Sequence, residues 1–185
     1  MIKLTSESNL ATIEEISKNV FRLKKNFGFL DLGKDKAGND NRFKDICNLS
    51  FDLYEKLNKR HKFERYEENE NLWYIFVLPI VNAEQHGNEW DINKITRIKY
   101  EIQKYNSNMD LTVKVKDEGN GFDYNHIIEA ERIARGTSAN YNNFRIKEKE
   151  NSVGNGIFYI LRYADNVNWN KKVNEIKITK YLKLL

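Results

Sequence analysis

The chain has 185 residues, 40% of them apolar and 12% aromatic, which is enough to enclose one core and excludes a disordered chain. Its 31 basic and 27 acidic residues leave a net charge of +4 spread along the sequence, not a nucleic-acid signature, and the densest basic stretch, Lys56 to Arg65, reads as a solvated helix end or loop. A single cysteine, Cys47, excludes an internal disulfide and reads as a buried, inert thiol, and there is no metal-ligand cluster. The longest apolar run, Leu72 to Val81, is too short to span a bilayer and contains Pro79. No apolar stretch precedes a small-residue cleavage site at the N-terminus, so a soluble cytoplasmic protein is expected.

In chain order, Ile2 to Thr5 predicts a short strand. Ile13, Ile16, Val20, Leu23 and Phe27 recur at spacings of three and four, which predicts a helix from Leu10 to Phe27 with one apolar face for the core or a dimer seam. Leu32 to Asn41 carries the glycine and asparagine of a loop. A second amphipathic helix is predicted over Phe43 to Leu57, followed by a charged, exposed stretch from Asn58 to Glu70. Asn71 to His86 reads as a buried helix with two odd features. Pro79 removes a hydrogen bond inside it, and Asn82 places an amide in an apolar run, where it needs partners. The plain reading of Asn82 is an amide bonded to neighbouring backbone.

Ile98, Tyr100 and Ile102 alternate with polar residues, Asn106 to Asn108 turns, and Leu111, Val113 and Val115 return, which predicts a hairpin. The second strand ends in Asp117-Glu118-Gly119-Asn120-Gly121-Phe122-Asp123. An acid at a strand end can accept a hydrogen bond from an amino group, and nearby glycines permit close backbone approach, although alone such a stretch is more often a turn. Ile127 to Arg135 predicts a short helix, and Gly136 to Val153 a long polar loop of the kind that serves as a lid or binding loop. Gly154-Asn155-Gly156 then opens an apolar helix, either as a phosphate site at a helix N-terminus or as a simple hinge. Asn170 to Asn174 reads as a turn, and Ile176 and Ile178 begin a last strand. No repeat or linker divides the chain.

Three segments in this order, Asn82 to Asn88, Asp117 to Asp123 and Gly154 to Ile157, resemble the N box and the two glycine boxes of the GHKL (histidine kinase-like) ATPase superfamily. The wording is closest to the anti-sigma factor serine/threonine kinases of partner-switching systems, above all over Gly156 to Val167. The resemblance covers Leu72 to the C-terminus well, while residues 34–70 read as a helical insertion in a single domain, 1–185. It implies an α+β fold: a two-layer α/β sandwich of the Bergerat ATP-binding type, with a mixed, mainly antiparallel sheet and helices on one face. It also implies ATP and Mg²⁺ as cofactors. Asp117 would accept from the adenine amino group, and Gly119 and Gly121 would let the backbone pass base and ribose. Asn82 would be the Mg²⁺ ligand, a hard oxygen for a hard ion. Gly154, Asn155 and Gly156 would wrap the phosphates, and Gly136 to Val153 would be the lid, with Lys147 or Lys149 reaching a phosphate. The partners implied are a sigma factor or an antagonist-like regulator, and a second copy in a homodimer.

One position departs from the family pattern. A glutamate base belongs one helical turn before the N-box asparagine, on the same face, and here that residue is Leu78. Absence of a general base lowers a rate about 10²- to 10⁴-fold. Glu84, two residues past Asn82, lies on another face and is no substitute. The expectation is an ATP- and Mg²⁺-binding regulator whose phosphotransfer lacks its usual base. Alternatives are a non-catalytic interaction module that kept the fold without the nucleotide, and an active serine/threonine kinase with a displaced base. A histidine-kinase core is weaker, since His61, His86 and His126 are the only histidines and none lies in a long dimerising helix pair.

Overall fold

A computed structural model of the chain describes residues 3–5, 11–18, 20–25, 41–66, 69–91, 93–121 and 156–185. Within them the protein is an α+β two-layer sandwich. Seven strands, β1 (Lys3–Thr5), β2 (Ala11–Ser17), β3 (Val20–Lys25), β4 (Thr96–Tyr105), β5 (Asn108–Lys116), β6 (Asn166–Trp169) and β7 (Glu175–Lys183), form one sheet in the order β1-β2-β3-β4-β5-β7-β6. Every strand pair among them is antiparallel. Helices α1 (Asn41–His61), α2 (Asn69–Asn82) and α3 (Gly156–Tyr163) supply the second layer.

Alternation fixes which face of the sheet is covered. Ile98 and Tyr100 of β4, Met109, Leu111, Val113 and Val115 of β5, and Ile178 and Leu182 of β7 are all buried. They share one core with Ile46, Leu49, Leu53 and Leu57 of α1 and with Leu72, Ile75, Phe76 and Ile80 of α2. At about 25 cal/mol per Å² of apolar surface removed from water, this shared core is the main force holding helices to sheet. The alternate residues point outward, and register sets like charges side by side there. Lys99 pairs with Lys114 and Lys114 with Lys177, while in the adjoining row Arg22 pairs with Arg97 and Arg97 with Lys116.

The β4–β5 hairpin follows the sequence expectation, with Tyr105 opposite Asn108. Its tight turn places Asn106 at φ 46°, a left-handed conformation that asparagine tolerates. Four expectations need correction. The helix over Leu10 to Phe27 does not form: Ala11–Ser17 and Val20–Lys25 are the paired strands β2 and β3. Ile13, Phe21 and Leu23 face the core, whereas Ile16, three residues after Ile13, falls on the opposite face of the strand and is 47% exposed; a bulge between Glu15 and Ser17 shifts the register beside it. The helical stripe proposed as a dimer seam therefore does not exist. Second, the insertion helix is longer than its periodicity suggested. Third, the charged stretch after it exposes Lys59, Arg60, Lys62, Glu64 and Arg65 as expected but also carries two buried aromatics: Lys62 turns at φ 59°, a 3₁₀ turn covers Phe63–Arg65, and Phe63 and Tyr66 are buried. Fourth, Ile176 and Ile178 do not stand alone at this end of the sheet: Asn166–Trp169, for which no strand was expected, is strand β6 and pairs with β7.

Helix α2 runs through Pro79 to Asn82 and then widens into a π-helical turn, Ala83–Gly87, closed by Asn88 N–H donating to the Ala83 carbonyl (2.7 Å). Such turns re-aim the residues that follow them. The predicted helix Ile127 to Arg135 and the loop Gly136 to Val153, including Lys147 and Lys149, lie outside the described residues. Among the described residues no helix is long and apolar enough to cross a membrane.

Candidate functional site

Strand β5 continues its inward alternation one residue past its end, so Asp117 points toward the helical layer and is only 9% exposed. Its Oδ1 accepts a hydrogen bond from Gly119 N–H at 2.8 Å. Burial raises its pKa above the ordinary carboxylate value, with the Glu84 charge adding to the rise. The backbone N–H donors, Gly119 first, and the Lys172 charge oppose it. An ionised carboxylate accepts at about four lone-pair positions, so Asp117 keeps acceptor capacity beyond the Gly119 bond.

The π turn brings Gly87 directly against this carboxylate. A Cβ on Gly87 would overlap the carboxylate carbon and both oxygens, and a Cβ on Gly119 would overlap the Gly87 carbonyl. Gly121, at φ 81°, passes the carbonyl of Lys172 just as closely. The two glycines after Asp117 thus have packing reasons within the chain itself: Gly119 packs on the end of the α2 segment and Gly121 on the turn before β7. That close approach is what sequence alone credited to a ligand.

Asn82, the last residue of α2, is half-buried and faces the start of α3. A Cβ on Gly156 would come within 2.6 Å of Asn82 Oδ1 and 2.9 Å of Nδ2. The expected bonds from the Asn82 amide to neighbouring backbone are not formed among the described residues. The structure therefore brings Asn82 together with Gly156, and Asp117 together with Gly119 and the Gly87 backbone five residues beyond Asn82. Gly154 and Asn155 lie outside the described residues. Leu78, one turn before Asn82, packs partly buried on the core, and Pro79 beside it is buried. Glu84 is fully buried, and its Oε1 accepts from the Thr96 hydroxyl (2.6 Å) and from Asn88 Nδ2 (3.1 Å).

Sequence reasoning missed two asparagines that hold the Asp117 segment. Asn88 Oδ1 accepts from Glu118 N–H at 2.9 Å. Asn174 accepts the Asp117 N–H on its backbone carbonyl (3.0 Å) and donates Nδ2 to the Asp117 carbonyl (3.1 Å). Both side chains are buried, Asn88 completely. In the sequence Asn88 only closes the segment that begins at Asn82, and Asn174 only ends a turn. Neither position has a local pattern that announces a partner 30 or 57 residues away.

No family model, no curated protein and no solved structure matches this chain.

Proposed function

We propose that this protein binds ATP with Mg²⁺ and uses the nucleotide to control a protein partner, in the manner of the anti-sigma factor kinases its motifs resemble, without efficient phosphotransfer. The observation that carries the reading is the buried Asp117 carboxylate at the end of β5, backed by Gly87 and Gly119, with the Asn82 amide and the first residue of α3 on the same side of the fold.

Asp117 suits an exocyclic amino group because it is a carboxylate with acceptor capacity left in a mostly dry setting, where a hydrogen bond to a charged acceptor contributes about 1.5–3 kcal/mol. Asn82 suits a metal because its oxygen makes no hydrogen bond among the described residues and lies close to a helix N-terminus, where anionic phosphates are favoured. Among the described residues no three His, Cys, Asp or Glu side chains gather to hold a metal. Mg²⁺ here would take one oxygen from Asn82 and most of its remaining ligands from phosphates and water, the usual pattern for that ion. Bound Mg²⁺ would offset phosphate charge. Leu78 leaves no carboxylate on the Asn82 face one turn back, which is why the reading is of a nucleotide-gated binder. The same resemblance supports a cytoplasmic setting, a sigma factor or its antagonist as partner, and a homodimer.

Isothermal titration of the protein with ATP and a non-hydrolysable analogue tests the reading. Binding by both ligands at micromolar Kd, weakened at least tenfold when Mg²⁺ is removed, is expected. Absence of binding to either ligand with Mg²⁺ present refutes the nucleotide reading and favours an interaction module indifferent to ATP.

A further inference from the structure

We infer that Asn88 is a positioning residue for Asp117: its side-chain amide ties the π turn that follows α2 to the backbone immediately after the carboxylate. The inference rests on the nucleotide reading and adds a residue to it. Every polar atom of the Asn88 side chain is engaged. Oδ1 accepts from Glu118 N–H, while Nδ2 donates to Glu84 Oε1 and to Thr96 Oγ1 (3.0 Å). The Thr96 hydroxyl donates in turn to the same Glu84 oxygen.

These directions leave one orientation for the amide. Turned over, its oxygen would face the Glu84 carboxylate and its NH₂ would face the Glu118 N–H, two repulsive contacts in a fully buried place. Glu84 and Thr96 therefore aim the Asn88 oxygen, and the Asn88 oxygen fixes the residue after Asp117. Asn174 holds Asp117 from the opposite side through its N–H and carbonyl. The Glu118 side chain adds a third tie by accepting Ile95 N–H at 3.0 Å. Asp117 is thus restrained on both sides before any ligand arrives. Asn88 is the restraint that belongs to the same continuous segment as Asn82, so it sets the carboxylate relative to that end of the site.

The arrangement predicts a specific pattern of loss and rescue. Asn88→Asp puts a carboxylate against Glu84 and removes the donors it needs. Combining it with Glu84→Gln restores one donor and one acceptor with their positions exchanged. Titration with ATP and Mg²⁺, well below the melting temperature and with binding stoichiometry reporting the folded fraction, should show Asn88→Asp weakening affinity about tenfold or more. The double variant should recover to within about threefold of the unmodified chain. Purely structural damage would lower stoichiometry or melting temperature and leave the Kd of folded molecules unchanged. A folded Asn88→Asp protein with unchanged Kd, or a double variant with no recovery, overturns the inference while the nucleotide reading stands. No ATP binding by the unmodified chain overturns both. Should Asn88→Asp fail to fold, Thr96→Val removes only the hydroxyl that helps aim the amide. It should weaken ATP about threefold at full stoichiometry, and an unchanged Kd there is equally decisive against Asn88.

Discussion

Asp117 is where function and stability pull apart. Burial raises its pKa above the ordinary value of 3.8. A carboxyl whose folded pKa is raised lends stability at pH below its unfolded value and loses it as pH rises through the folded value. At neutral pH the ionised Asp117 therefore weakens the fold. Asp117→Asn keeps an oxygen for the Gly119 N–H but carries no charge, so it should raise the melting temperature at pH 7. That gain should shrink as pH falls toward 4, and ATP binding should be lost throughout. Thermal melts at a series of pH values, subtracting variant from unmodified protein, isolate this one group. A destabilised variant at pH 7 would contradict the burial argument. Trading stability for a poised acceptor is the usual condition of binding sites. At this scale the sequence was informative about Asp117 and Asn82, whose residue types are odd for their settings. It was silent about Asn88, Asn174 and Thr96, whose polar types are ordinary in a turn or strand and whose partners come from distant segments.

The elements were legible wherever one period dominated. Helix α2 and the β4–β5 hairpin carry unbroken patterns of a single kind. The β2–β3 hairpin does not, because apolar residues stand on both faces of β2, Ile13 on the inner and Ile16 on the outer, and the apolar positions taken together imitate helical spacing. The two readings make opposite demands on Ile16. As part of a helical stripe it would be core. In the hairpin it is 47% exposed while Ile13 is fully buried. Chemical denaturation should therefore find Ile13→Ala destabilising by about 2–5 kcal/mol and Ile16→Ala within about 0.5 kcal/mol of the parent. Equal losses at the two sites would restore the helix. Strand β6 was missed for a different reason. It has only four residues, at the sheet edge, with Asn166 and Asn168 alternating with Val167 and Trp169, and asparagine is a poor strand former.

Across the whole molecule, α1 is no appendage. Ile46, Leu49, Leu53 and Leu57 sit in the same core as α2 and the sheet. The stretch read as an insertion is thus one of the three helices that roof the described sheet. Cys47, on that helix, has its thiol pushed up to about 11 by burial and packs on the core, as an inert thiol should. The two-layer architecture was legible because a single apolar face recurs in strand after strand. What the sequence did not disclose is how register arranges the opposite face.

The cation rows on that opposite face have a consequence in solution. Lys99 is relieved by Glu101 at 2.6 Å, Lys116 by Glu175 at 3.7 Å and Arg97 by Glu118 at 3.7 Å. Lys114 and Lys177 have no carboxylate within ion-pairing distance among the described residues, and are offset only by the longer-range charge of Glu101, which is engaged with Lys99 first. Facing residues on neighbouring strands lie about 5 Å apart, and like charges set opposite one another oppose the pairing. Dissolved salt screens such repulsion, over about 10 Å at 0.1 M. The urea midpoint should therefore rise as sodium chloride is increased from about 10 mM to about 150 mM, and Lys114→Gln should flatten the rise. In dilute buffer the central strands repel through their own side chains, so the surrounding electrolyte, although no part of the chain, acts as a component of the sheet.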